Sequence, residues 1–218
     1  MPLAPAAPAS LVDQAIDGMR DLLASGEWTV GTRIPPEPEL AAALGVSRNT
    51  VREAVKALAH VGVLEVRRGD GTYVAATTEV QALMRRQCER VDIAHLLEVR
   101  HAIEVQAAAL AARRRTDADL AVLDATIARR RAAVDSGDAA AFVDADVEFH
   151  VAVVAAAHNP LLAELYDGLV ETLRASIDGP GDADDLAREH DAVLAAIRAG
   201  DAARAAEAGA VLLDHVPR

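Results

Sequence analysis

The 218-residue chain is 52% apolar but only 2% aromatic, and 50 of its residues are alanine. Alanine is the best helix former and a poor strand former, so this composition excludes a β-sandwich or barrel and points to closely packed helices in one large domain or two small ones. The net charge of −12 argues against a polyanionic partner for the chain as a whole, and ordinary glycine and proline contents exclude collagen-like and disordered classes.

The charge is uneven. Residues 1–76 hold seven Lys/Arg against nine Asp/Glu, whereas residues 77–218 hold 15 against 25. Arg48, Arg52, Lys56, Arg67 and Arg68 cluster against only Glu53 and Glu65 within residues 46–68, so a small basic face sits in the first third. That asymmetry predicts two domains with different tasks. A single cysteine, Cys88, excludes an intrachain disulfide or a Cys-rich zinc site and fits a reducing compartment. The opening MPLAPAAPAS has neither a basic start nor a long apolar core, and no apolar run reaches the ~18 residues of a membrane span. The expectation is a cytoplasmic protein without a membrane partner.

In chain order, residues 1–9 read as a flexible N-terminus, and Ser10 caps a helix over Leu11–Ala24 with an apolar stripe at Ile16, Met19, Leu22 and Leu23. Thr32–Ile34 is a short extended piece ended by Pro35-Pro36. A helix over Glu37–Leu44 stops at Gly45, and Ser47 opens another that runs to about His60 before Gly62. Val63–Arg67 and Thr72–Val74 alternate around Gly69-Asp70-Gly71 and predict a β-hairpin. Residues 75–78 read as the joint between a first domain, 10–76, and a second, 77–218. Beyond it the helical period runs through about 80–90, 93–114, 117–136, 138–157, 160–177, 186–199 and 202–215, which predicts an all-α bundle.

The helix 37–44, the turn at Gly45 and the helix after Ser47 have the layout of a helix-turn-helix. In that motif the N-terminal end of the second helix enters the major groove. Ser47, Arg48, Asn49, Thr50 and Arg52 supply hydroxyl, amide and guanidinium groups there, while Val46, Val51, Ala54, Val55 and Leu58 face inward. For one isolated helix the plainer reading is a capping serine and a solvated arginine face. The hairpin with Arg67, Arg68 and Gly69 at its turn follows as a wing, and the combination favours DNA binding.

These residues resemble a known family. Gly31-Thr32-Arg33-Ile34-Pro35-Pro36-Glu37-Pro38-Glu39-Leu40-Ala41, Leu44 through Ala54, Gly62-Val63-Leu64 and Gly69 through Val74 are similar to the winged helix of GntR-family bacterial repressors. The resemblance covers about residues 11–76. It implies that Arg48, Thr50, Arg52 and the wing tip at Arg68-Gly69 contact DNA. The family pattern before the turn is Ser-Glu-Arg-Glu, whereas this chain has Pro36-Glu37-Pro38-Glu39, so the basic contact expected at position 38 is missing.

In the helical part, Asp146 and His150 lie at i, i+4 on one helix and could share a cation, or form an ordinary helix ion pair. His190 and His215 lie on two later helices, which a bundle can bring together. Glu98-Val99-Arg100 with Glu104, Asp146 through His150, Asn159-Pro160-Leu161-Leu162, Glu189-His190 and Gly200-Asp201 resemble the FCD ligand-binding domain of the FadR subfamily, over about residues 80–215. The resemblance implies a divalent metal (zinc, nickel or manganese) held by an Asp and three His beside a small carboxylate. Asp146, His150 and His190 carry over. The usual last histidine falls on Leu212, and His215 stands three residues later. Three residues are about 4.5 Å of helical rise, more than metal–ligand distances tolerate without a helix shift. Arg100 is open to two readings, an anchor for an effector carboxylate or a helix salt bridge with Glu104.

The expectation is a mainly α protein, a winged helix-turn-helix followed by an FCD-type bundle. It would act as a homodimer on a pseudo-palindromic double-stranded operator, a regulator of the repressor type whose DNA affinity responds to a small carboxylate. Two alternatives are a metal-dependent hydrolase using Asp146, His150 and His190, and a metal-free regulator whose bundle only dimerises.

Overall fold

In the computed structural model of the chain, residues 10–174 and 183–214 are described. The N-terminal segment 1–9 and His215 lie outside the described residues. The chain divides into two compact units, Met1–Leu83 and Met84–Arg218.

The first unit opens with α1 (Leu11–Ala24). Ser10 Oγ accepts from the Asp13 backbone N–H at 3.1 Å, while the Asp13 carboxylate accepts from the Ser10 N–H at 3.2 Å, so two end donors are satisfied reciprocally. The helix buries Ala15, Met19 and Leu23. After α2 (Glu37–Leu44), Gly45 turns the chain with φ +67, a left-handed conformation that glycine adopts without a Cβ penalty. α3 (Arg48–Val61) buries Val51, Ala54, Val55 and Leu58, the stripe expected from its period; Val46 is half-buried.

β1 (Leu64–Arg67) and β2 (Gly71–Val74) pair antiparallel, with Leu64 opposite Val74 and Arg67 opposite Gly71. The extended piece before α2 adds a third line to this hairpin. The Ile34 N–H donates to the Thr72 carbonyl and the Val74 N–H to the Thr32 carbonyl, each at 2.9 Å, with Arg33 bridged to Tyr73. Gly71, at φ +140, holds a backbone conformation that L side chains rarely adopt, which favours glycine where the turn meets β2. Met19, Trp28, Ile34, Leu40, Val51, Leu58 and Val74 belong to the core of this unit.

α4 (Glu79–Cys88) follows, and the two units divide within it, after the joint read at residues 75–78. The bundle consists of α5 (Ile93–Arg114), α6 (Asp117–Ser136), α7 (Ala139–Ala156), α8 (Pro160–Arg174), α9 (Ala183–Ala199) and α10 (Ala202–Asp214). α6 packs on α7, and α10 packs on both α5 and α9. The alanine content acts here: Ala107, Ala108, Ala111 and Ala112 of α5 are all buried, and a Cβ at Gly209 of α10 would stand 3.6 Å from that of Ala108. Small side chains let the two helices approach closely, and Phe149, Leu123, Tyr166 and Ile197 fill the wider parts of the core. Among the described residues no helix is long and apolar enough to cross a membrane.

Candidate functional site

Two sites emerge, one in each unit. In the first, Ser47 caps α3 by accepting from the Thr50 N–H at 3.1 Å, and its hydroxyl lies 2.9 Å from Thr50 Oγ1. Ser47, Arg48, Asn49 and Arg52 are exposed, and Thr50 is half-buried at the same end of the helix. Arg52 does not extend freely into solvent: its Nε and Nη2 donate to the Glu37 carboxylate of α2 at 3.1 and 2.7 Å. At the wing, Arg67 donates to Glu65 at 2.9 Å through Nη2 and stacks 4.1 Å over the Tyr73 ring, whose hydroxyl donates to Asp70. Arg68 and Gly69 are exposed at the hairpin turn. A helix end with open polar groups and an exposed basic turn are both suited to phosphate and base-edge contacts.

In the bundle, Asp146 and His150 of α7 meet His190 of α9. All three are buried, and each offers a ligand atom within 4.8 Å of the others. His190 Nε2 lies 3.2 Å and His150 Nε2 3.8 Å from the two Asp146 oxygens. Around them stand Glu104 and Arg100 of α5, Arg130 of α6 and Tyr166 of α8. Glu104 accepts from His150 Nδ1 at 2.6 Å through one oxygen, and from Arg100 Nε and the Tyr166 hydroxyl at 2.6 Å each through the other. Arg130 Nε donates to Asp146 Oδ1 at 2.7 Å.

The two carboxyls of the cluster are held in their ionised form. Burial alone would raise the Asp146 carboxyl, but the hydrogen bond with His190, the neighbouring His150 and His190 charges and the Arg130 hydrogen bond hold it well below the ordinary carboxylate range. Burial opposes Glu104 in the same way, and His150, Arg100 and Tyr166 outweigh it, bringing the carboxyl down to about 2. Burial pushes the His190 ring down further than Asp146 lifts it. His150 presents Nδ1 to Glu104 at 2.6 Å and Nε2 to Asp146 at 3.8 Å. A carboxylate that orients a histidine ligand from behind is the usual outer partner in metal centres. Asp146, His150 and His190 together make a donor set that could hold a divalent metal, the candidate ligands among the described residues.

Comparison with known proteins identifies the family of each unit. A family profile described as bacterial regulatory proteins, gntR family, matches residues 11–74, and one described as FCD domain matches residues 95–215. The chain belongs to the GntR family of bacterial regulators. Among relatives of this GntR protein, the Escherichia coli (strain K12) protein to which regulation of the L-lactate dehydrogenase operon is ascribed is 34% identical over 89% of this chain and 80% of its own. The transcriptional regulator LutR of Bacillus subtilis (strain 168) is 30% identical, over 89% of this chain and 93% of its own. The galactonate operon transcriptional repressor of E. coli (strain K12) is 28% identical, over 92% and 93%. A solved Streptococcus agalactiae GntR structure superposes with a TM-score of 0.63 at 30% identity, covering 94% of this chain and 98% of the other.

The family consists of transcriptional regulators, so the GntR protein is not an enzyme, and the hydrolase alternative is set aside. Its winged helix lies where the sequence placed it. Leu212 is buried on α10, and His215, the expected fourth ligand, lies outside the described residues. Arg100 is buried and its Nε donates to Glu104 at 2.6 Å, the helix salt bridge of the two readings. Arg130 and Tyr166 were not singled out from the sequence. Arg130 had a signal: with Leu123, Thr126, Ile127 and Ala133 it falls on the helical stripe that α6 buries, and a charged residue at such a position marks an internal ion pair.

Proposed function

We propose that this GntR-family chain is a cytoplasmic, homodimeric repressor whose operator affinity is set by a small carboxylate held in the helical unit beside a divalent metal. One observation carries the reading. A DNA-binding family chain has an internal cluster of one ionised carboxylate and two imidazoles, oriented by Glu104 and buried where a structural role alone is costly. Relatives are named for L-lactate dehydrogenase and galactonate operons. Lactate and galactonate are both 2-hydroxy acids, and a hydroxyl beside a carboxylate forms a chelating pair, so 2-hydroxycarboxylates are the effector class we assign here.

When bound, the metal supplies a Lewis-acidic point for the effector's oxygens. Asp146, His150 and His190 would hold it, Glu104 fixes the His150 ring, and the Phe149 ring packs against both imidazoles. The DNA-contacting residues are Ser47, Arg48, Asn49, Thr50 and Arg52 in the groove and Arg67, Arg68 and Gly69 at the wing. A dimer doubles a short half-site into a pseudo-palindrome. An effector that binds one arrangement of the two heads better shifts the population toward it and changes the fit to DNA.

The test is a titration of promoter DNA from the protein's own gene neighbourhood at fixed salt, with metal content measured on the same sample. Operator binding that L-lactate or galactonate weakens, by protein carrying about one divalent ion per chain, is the expected result. Arg48→Ala and Arg52→Ala should each weaken operator binding while leaving the melting curve in place. Purified protein without metal, unresponsive to both acids yet fully competent for DNA, would instead mean a bundle that only dimerises.

A further inference from the structure

α6 carries three consecutive arginines, and its packing separates them. Arg129 and Arg131 are exposed and pair with Glu148 and Asp191 at 2.5 and 2.6 Å. Arg130 between them is 2% exposed. Its guanidinium carbon stacks 4.6 Å over the Phe142 ring, and Nε donates to Asp146 Oδ1 at 2.7 Å. Nη2 lies on the same edge of the planar fork as Nε, so it points toward the side on which Asp146 lies. It is buried and has no hydrogen-bond partner among the described residues.

Arg52 illustrates the same edge fully used, with Nε and Nη2 both on the Glu37 carboxylate. Arg130 uses half of it, because Asp146 is turned toward the imidazoles: Oδ1 also lies 3.2 Å from His190 Nε2, and Oδ2 faces His150 Nε2. A buried guanidinium donor left without an acceptor costs more than an ordinary missing hydrogen bond, so such a donor beside a ligand-type cluster marks where an acceptor docks.

We infer that Arg130 is the effector anchor, its Nη2 donating to a carboxylate oxygen of a small organic acid held against the Asp146–His150–His190 cluster. The inference rests on the reading that the helical unit binds an effector, and adds to it the contacting residue and the required charge. Charge balance supports it. Arg100 is offset by Glu104 and Arg130 by Asp146, so the buried arginines and carboxylates cancel. A divalent cation then leaves an excess of positive charge in a low-dielectric interior, which is costly unless an anion accompanies it. A carboxylate supplies both the negative charge and the missing acceptor; a neutral or cationic ligand supplies no charge to offset the metal.

The experiment compares full-length, zinc-loaded wild type with Arg130→Lys and Arg130→Met, titrated calorimetrically with L-lactate and with its uncharged counterpart lactamide. Zinc content and melting curves are recorded for each protein. All three should retain zinc. Both variants should bind L-lactate at least tenfold more weakly while their affinity for lactamide stays within about twofold, the size expected for one charge-assisted hydrogen bond. The pair of ligands separates an anchor from a merely structural arginine, whose loss would weaken both alike. Should the Met variant fail to fold, the Lys variant carries the comparison, since it keeps a cation beside Asp146. Zinc-loaded variants that bind L-lactate as tightly as wild type overturn the role of Arg130 and leave the effector site standing. Zinc-loaded wild type that binds neither L-lactate, galactonate, succinate nor citrate overturns the effector site itself, and the anchor with it.

Discussion

At the scale of single residues, two arginine–glutamate pairs have opposite energetic meaning because one is wet and the other dry. Arg52 and Glu37 are half-exposed, so their ion pair contributes little to stability, and phosphate oxygens can replace the carboxylate at small cost. On the proposed reading Glu37 competes with DNA for Arg52, in a chain that has Pro38 where the family resemblance implies a basic contact. Glu37→Gln should therefore raise DNA affinity several-fold at low salt and steepen its salt dependence, with stability unchanged within about 0.5 kcal/mol; fluorescence anisotropy across a salt series reads both, and an unchanged affinity would remove Arg52 from the interface. Arg100 and Glu104 are buried, and Glu104 also holds His150 and Tyr166. Glu104→Ala leaves a buried guanidinium without its main partner, so a loss of about 3–5 kcal/mol is expected in urea unfolding. A loss under 1 kcal/mol would mean that the network relaxes or that water enters it.

At the scale of elements, helix ends carry much of the specification. Thr116 caps α6, and Asp119 returns the bond to the Thr116 N–H at 2.7 Å while its Oδ2 also meets His158 Nε2 at 2.8 Å, just past the end of α7. Burial would raise the Asp119 carboxyl, but the Thr116 hydrogen bonds and His158 lower it below the usual value. A lowered carboxyl stabilises the fold fully above its unfolded pKa of about 3.9, and that contribution is lost as pH falls through the lower folded value. Asp119→Ala should cost about 1 kcal/mol at pH 7, and its deficit relative to wild type should shrink in urea melts near pH 2; a deficit of constant size would assign the effect to packing. Such caps and glycine stops made the fold readable: Ser10, Ser47, Thr116 and Gly45 mark ends that the structure places within a residue or two of expectation. The pairing of residues 31–34 with β2 was not readable, because a short edge segment bonds through backbone atoms and leaves no side-chain period. The candidate site was readable where its donors share a helix, as Asp146 and His150 do. Glu104, Arg130 and Tyr166 join it from three other helices, and helix register across a bundle is set by packing that a linear pattern does not encode.

At the scale of the whole molecule, the two units have separate hydrophobic cores, one built around Met19, Val51 and Leu58 and the other around Phe149, Leu169 and Ile197. Unfolding of such a chain is not a single two-state event, and a ligand stabilises the unit whose folded form binds it. The metal-type cluster draws on α5, α6, α7, α8 and α9, so loss of any of these helices dissolves it, whereas none of its residues lies in the winged helix. In scanning calorimetry the metal-loaded protein should show two transitions, and dialysis against a chelator should lower that of the helical unit. Saturation at about 100 times the dissociation constant corresponds to about 2.7 kcal/mol, which for a unit of this size is a shift of several degrees. The winged-helix transition should move by less than a degree, and His150→Ala should abolish the chelator effect on the other. Equal displacement of both transitions would show that the metal is held by neither unit alone, and a chelator without effect would leave Asp146, His150 and His190 as a polar network that needs no ion.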